Sequence, residues 1–214
     1  MEEQIRSEIL KTIPYGFYIT GVVGSDGEAN GFTTCWVSQV SFDPQQLIVA
    51  VRKDQHTHDL IEASGVFSLN FLDTEQEELA RRFTEPLQHE NGTVGGSAYT
   101  TGETGAPLFE EAFAHLECRV AGKMEAGDHT VYLGDVVAAN LKRPADILTD
   151  LDTPMEYGGC RVSGTRGGPA EVWRGEPPAR SLTLTRADGS GCGTARDFGL
   201  TLPLGGLRPT PVPG

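Results

Sequence analysis

The segment Asn30 to Pro44, NGFTTCWVSQVSFDP, holds an unusual density of side chains that could do chemistry. On one extended strand Asn30, Phe32, Thr34, Trp36 and Ser38 share a face, barring a bulge, while Thr33, Cys35 and Val37 share the other. The first face offers an amide, hydroxyls and an indole, which suit a flat ring with a hydrogen-bonding edge and an apolar body. The same pattern also fits a solvent-facing strand edge with a packed tryptophan. Lys53, His56 and Thr57 precede or open a helix, where free backbone N–H groups and the helix dipole favour an anion such as a phosphate. The plainer alternative is that Thr57 caps its helix and Lys53 is solvated. Arg81 and Arg82 end a helical stretch, where cations complement the dipole. His129 follows Gly127-Asp128, and a lone turn histidine is commonly just exposed.

Other candidates carry no site. His58, His89 and His115 share no metal-ligand spacing, and Cys35, Cys118, Cys160 and Cys192 include no CxxC pair, so neither a metal centre nor a disulfide framework is expected. The run Gly189-Ser190-Gly191-Cys192-Gly193 lacks the preceding strand and following capped helix that a dinucleotide loop requires.

The elements that must position these residues read as strands with a few short helices. Residues 15–23 alternate as a strand, Ser25-Asp26-Gly27 forms a turn, and residues 29–40 return as a second strand. Ser41-Phe42-Asp43-Pro44 interrupts the pattern; residues 46–51 make an apolar central strand, and residues 57–63 a short helix. Residues 66–71 alternate again, and 74–83 form a helix opened by a capping box of Thr74 with Glu77. Residues 84–105 read as a long polar loop of low intrinsic order, followed by two long strands, 115–124 and 130–140, joined through Glu125-Ala126-Gly127-Asp128. Many strands with so few helices between them predict an antiparallel, mainly β barrel with minor α content rather than a doubly wound sheet.

With 214 residues, one domain plus an appendage is expected. A formal net charge of −13 argues against a nucleic-acid partner, since phosphate binding needs a basic footprint. The charged, helix-like start MEEQIRSEILKT does not read as a secretory signal, and no apolar run approaches the roughly 20 residues of a membrane helix. The expected location is cytoplasmic. From about Cys160 onward the chain has seven arginines, four carboxylates and no lysine, and is rich in Gly and Pro. Such a segment buries little apolar surface and is expected to be disordered or loosely attached.

The string NGFTTCWVSQVSFDP closely resembles the FMN-binding signature of the flavin reductase-like family. VRKDQHTHDLIEASGVFSLNFL at 51–72, LARRF at 79–83 and GDHTVYLGDV at 127–136 agree with that family in order and spacing, over roughly residues 10–159. The resemblance implies an FMN-binding split β-barrel, with FMN, or FAD as an alternative, at the interface of a homodimer. It implies electron transfer from NADH or NADPH to free flavin or a partner monooxygenase. A flavoredoxin-like electron carrier, or a flavin-binding module without turnover, are the other readings. Asn30, Thr33, Thr34, Trp36, Ser38, Ser41, Lys53, Thr57, Arg82 and Phe83 are then the expected flavin-binding residues. His129 is the expected catalytic residue, as a positioning and electrostatic group, because hydride transfer needs ring stacking more than a general base.

The resemblance ends near Met155-Glu156-Tyr157-Gly158-Gly159, where the family continues with a short aromatic segment. Here CRVSGTRGGPAEVWRGEPP follows instead, which suggests either a natural tail or a change of reading frame.

Overall fold

The computed structural model describes residues 2–155, apart from 88 and 91, together with residues 184–185 and 192–193. The chain divides into two compact units, Met1–Gly175 and Glu176–Gly214.

The first unit is mainly antiparallel β. It opens with helix α1 (Glu2–Leu10), which has no buried residue and leaves Ile5 and Ile9 exposed. Strands β1 (Tyr18–Val23), β2 (Ala29–Thr34), β3 (Val37–Phe42) and β4 (Gln45–Arg52) follow, then α2 (His56–Ser64), β5 (Val66–Phe71) and α3 (Glu77–Arg82). A small sheet comes from β6 (His89–Glu90), β7 (Thr93–Val94), β8 (Ser97–Thr101) and β9 (Pro107–Phe109). The long hairpin β10 (Ala114–Ala126) and β11 (His129–Leu141) completes it.

Seven strands form the main sheet in the order β2-β1-β5-β10-β11-β4-β3. Its two edges, β2 and β3, are consecutive in the chain, linked only by Cys35 and Trp36. Three residue steps from Thr34 to Val37 reach at most about 11 Å, whereas a flat sheet of this width would separate its edges by about 29 Å. The sheet must therefore curl until its edges meet at this link, and the Ala50 N–H donating to the Trp36 carbonyl at 3.0 Å holds the corner.

Alternation along the curled strands creates two cores. Val22, Leu47, Val49, Val51, Phe67, Leu69 and Tyr132 point into the barrel, with Leu60 and Ile61 of α2 packed against them. Phe17, Ile19, Phe83, Phe109 and Leu148 form a second cluster on the other side of β1, beneath α3 and the small sheet. Gly31 lies between the two aromatics of that cluster: a Cβ there would come within 2.9 Å of Phe109 and 3.0 Å of Phe83, so the motif needs glycine at this point. Asn70, fully buried, ties β9 to β5 by accepting from the Phe109 N–H at 2.8 Å and donating to the Ile19 carbonyl at 2.9 Å.

Several sequence expectations are corrected. Residues 29–40 are two strands rather than one, because the corner at Cys35–Trp36 leaves the ladder. The helix expected from Thr74 starts at Glu77 after Gln76, with no side-chain cap bond. Asp73 does the local bonding instead: its side chain accepts from the Glu75 N–H, and its own N–H donates to Gln76 Oε1. Residues 84–105 are not a structureless loop, since β6, β7 and β8 form there around the positive-φ glycines 92, 95 and 96. The long strands run one or two residues further than expected at their ends, and α2 begins one residue earlier.

In the second unit, β12 (Leu184–Thr185) pairs antiparallel with β13 (Cys192–Gly193). The expectation for the segment after Cys160 otherwise falls outside the described residues.

Candidate functional site

The candidate site is built on the outward face of β4 and β11. Leu47, Val49 and Val51 of β4 point inward, so Gln46, Ile48, Ala50 and Arg52 point out. Their register partners on β11 are Asp135, Leu133, Val131 and His129. Ser38 of β3 stands opposite Ile48 on the same face. Trp36 leans over from the corner, and a cleft of about 400 Å³ lies between it, Ile48, Ala50 and Val131 on one side and Ile13, Pro14 and Tyr15 on the other.

Trp36 is 39% exposed and its ring lies 4.7 Å from that of His129, tilted by 37°. His129 is only 6% exposed, and its Nδ1 sits 2.7 Å from Asp128 Oδ1. A carboxylate at that distance fixes the tautomer and orientation of the ring. The histidine is therefore buried under the indole rather than solvent-facing. The turn that carries it is a two-residue hairpin with Gly127 at φ 63°, the positive value that the first central position of a type II′ turn requires.

The same turn reaches the start of α2. The Lys53 N–H donates to the Asp128 carbonyl at 3.1 Å, and Lys53 Nζ donates to the Gly127 carbonyl at 2.9 Å while pairing with the Glu125 carboxylate. Three residues later α2 begins with His56, whose Nε2 is 3.0 Å from Glu28 Oε1, just before β2. Thr57, in the first turn of α2, is 7% exposed, and its Oγ1 is buried with no hydrogen-bond partner. The Lys53 segment, four residues before Thr57, thus joins the hairpin turn that carries His129 to the start of α2.

The remaining expected residues are distributed differently. Within β2 the register places Asn30, Phe32 and Thr34 opposite Val22, Thr20 and Tyr18, facing the barrel interior. The expected common face of Asn30, Phe32, Thr34, Trp36 and Ser38 is thus overturned, because the corner resets the alternation and only Trp36 and Ser38 reach the outer face. Asn30 is half-buried, with Oδ1 accepting from the Gly31 N–H at 2.7 Å. Thr33 turns toward α3 and donates to the Ala80 carbonyl at 2.5 Å. Ser41 is half-buried, and its carbonyl accepts from Gln39. Arg82 is exposed and donates to the Gly95 carbonyl and Ser97 hydroxyl, while Phe83 is a core residue packed edge-on to Phe109 at 4.8 Å.

Sequence reading missed the floor of the cleft, Ile48, Ala50 and Val131, although the i, i+2 spacing of apolar residues on both faces of β4 carries that signal. It also missed Glu125 and Asp128 as partners of the two assigned residues next to them. Cys35 lines the cleft, but burial pushes its thiol pKa well up, so it is an inert wall rather than a nucleophile. Among the described residues no group of His, Cys, Asp and Glu could hold a metal ion.

Residues 10–158 match the family described as "Flavin reductase like domain". The chain belongs to this family. It is similar to the ferric-chelate reductase (NAD(P)H) of Archaeoglobus fulgidus, at 33% identity over 147 residues, covering 68% of this chain and 86% of that protein. It is 33% identical over 180 residues to the flavin reductase (NADH) of Kitasatospora aureofaciens, covering 84% of this chain and 86% of the relative. Among solved structures, the NADH:FAD oxidoreductase of Streptomyces globisporus superposes with a TM-score of 0.56 at 32% identity, over 72% of this chain and 85% of that one. The same enzyme has also been solved in complex with NAD and FAD fragments. The antiparallel fold of the flavin reductase domain is thus the frame on which the Trp36–His129 surface is built. No helix among the described residues is long and apolar enough to cross a membrane.

Proposed function

We propose that this flavin reductase-like chain is an NAD(P)H-dependent flavin reductase of the cytoplasm that binds FMN, or FAD, on the Trp36–His129 surface. Reduced flavin then serves free acceptors or a partner monooxygenase. The observation that carries the reading is the buried, unpartnered Thr57 hydroxyl at the start of α2, four residues after Lys53, whose side chain and N–H bond the turn that carries His129 beneath the Trp36 indole. A buried hydroxyl without a partner costs about 1–3 kcal/mol, and a phosphate oxygen at a helix N-terminus would satisfy it. Identities of 32–33% to reductases whose names specify NADH, NAD(P)H or FAD support the same chemistry.

In this reading the residues fit a flavin. Trp36 and the Ile48–Ala50–Val131 floor form an apolar wall, Ser38 offers a hydroxyl to the ring edge, and Thr57 with Lys53 receives the phosphate. Thr33, Arg82 and Phe83 tie β2, α3 and the small sheet together, Asn30 and Thr34 face the barrel interior, and Ser41 lies on β3 beyond Ser38. Bound flavin supplies a two-electron acceptor for hydride from the nicotinamide. His129, oriented by Asp128, contributes polarity beneath the indole and helps position the nicotinamide by electrostatics.

The apolar patch of Ile48, Ala50, Val131 and Leu133 at the middle of the outer face of β4 and β11, with the exposed Val40 and Phe42 of β3, supports a homodimer of split barrels with the flavin at its interface. The buried free thiols Cys35 and Cys118 fit a reducing compartment. Stopped-flow mixing of flavin-loaded protein with NADH and with NADPH tests the function. Rapid bleaching of flavin absorbance is expected with at least one; a flat trace with both would leave a carrier or a binding module instead.

A further inference from the structure

Cations are scarce in this acidic chain, and those around the first turn of α2 are already matched with carboxylates. Arg52 donates to both oxygens of Asp54, at 3.0 and 2.6 Å. Lys123 is held by Glu62 Oε2 at 2.5 Å, and the other oxygen of Glu62 accepts from the Tyr132 hydroxyl at 2.7 Å. Lys53 pairs with Glu125 and also donates to the Gly127 carbonyl. A phosphate dianion arriving beside Thr57 thus meets cations that are already paired, and it must compete with a carboxylate for the charge of Lys53. The Lys53–Glu125 pair is the one that can open. Its side chains are 35% and 66% exposed, and among the described residues the Glu125 carboxylate bonds no other group, whereas Glu62 is anchored by a buried tyrosine as well as a lysine.

Resting on the flavin reading of this site, we propose that Glu125 is a specificity-determining residue that competes with the flavin phosphate for Lys53. It thereby keeps FMN and FAD exchangeable substrates rather than a retained prosthetic group. Glu125 lies on β10, one pair from the end of the hairpin and opposite Thr130, so the carboxylate is presented at the same turn that carries His129. Lys53 approaches from β4, whose last ladder pair is Arg52 with His129. A ligand with a phosphate breaks the Lys53–Glu125 contact and feels the repulsion of the released carboxylate. Riboflavin, which has the same ring and no phosphate, does neither.

The test is the dissociation constant of FMN, FAD and riboflavin, measured by flavin fluorescence quenching in wild type, Glu125→Gln, Lys53→Gln and the double variant. Thermal melts confirm folding. Glu125→Gln is expected to tighten FMN and FAD about three- to tenfold at low salt and riboflavin by less than about 1.5-fold, with the gain shrinking to about twofold or less at 0.5 M salt. Lys53→Gln weakens FMN, and adding Glu125→Gln to it recovers less than the single change gains. Unchanged FMN affinity in Glu125→Gln, or an equal gain for riboflavin, would overturn the proposal while leaving flavin binding intact. Failure of wild type to quench any of the three flavins would instead overturn the flavin reading on which it rests.

Discussion

Replacing Thr57 with valine should stabilise the flavin-free protein and cripple its hold on FMN at the same time. Thr57 is 7% exposed and its Oγ1 has no partner, so the free protein carries the desolvation cost of a hydroxyl without the compensating bond. Valine has nearly the same shape and β-branching, and it removes the polar atom without leaving a cavity. Relief of a buried unsatisfied hydroxyl is worth about 1 kcal/mol or more. For a cooperative unit of this size that corresponds to a rise of roughly 2–4 °C in Tm. In the loaded protein the sign reverses, because a hydrogen bond to a charged acceptor contributes about 1.5–3 kcal/mol, a loss of roughly 10- to 150-fold in FMN affinity at about 1.4 kcal/mol per factor of ten. Differential scanning calorimetry of flavin-free wild type and Thr57→Val, followed by FMN and riboflavin titrations, reads both effects. A lower Tm for the valine variant would show that the hydroxyl is satisfied in the free protein. Equal FMN affinity would show that Thr57 does not meet the phosphate.

Further outcomes follow from the same geometry. His129→Ala should slow flavin bleaching by NADH about tenfold or more while changing FMN retention little, as read by stopped-flow absorbance and equilibrium titration. Phe109→Ala removes a fully buried ring that packs against Phe83 and Tyr99, so urea unfolding should show a loss of about 3–5 kcal/mol. Stability should also fall on acidification, for two reasons of the same sign. Burial lowers the pKa of His115, whose Nε2 donates to the Phe109 carbonyl, so its contribution is complete above the ordinary value near 6.5 and is lost as pH falls toward the lower folded value. Burial tends to raise the Glu117 pKa, but the Thr104 and Glu103 donors outweigh it and lower the value. Its contribution is present above the ordinary carboxylate range and is lost as pH falls through the folded value. Urea midpoints between pH 8 and 4 should therefore decline, and His115→Gln should flatten the upper part of that decline.

The fold class was legible because alternation is a strong signal where one face of a strand is buried, as in the hairpin arms of β10–β11, and because β5 alternates Phe67, Leu69 and Phe71 with Ser68 and Asn70 although both its faces are covered. The corner at Cys35–Trp36 was not, since nothing in TTCWVS distinguishes a continuous strand from two strands on opposite edges of a curled sheet; closure is a property of the whole sheet. That one hidden corner moved Asn30, Phe32 and Thr34 off the face assigned to them and left Trp36 and Ser38 on it. The small sheet of residues 89–109 was hidden for a different reason: its strands are two to five residues long, too short for periodicity to register. His129 and Thr57 were readable as candidates from their neighbours in sequence. Asp128 as the partner of His129, and Glu125 as the partner of Lys53, acquire meaning only through the hairpin register and the approach of Lys53 from another strand.

The central claim is that one surface holds the flavin ring at Trp36 and its phosphate at the first turn of α2. A crystal structure of the protein grown with FMN tests it most directly. The expected result is the ring system against the Trp36 indole, with a phosphate oxygen within hydrogen-bond distance of Thr57 Oγ1. Density for FMN elsewhere, with Thr57 Oγ1 still unpartnered, would contradict the claim.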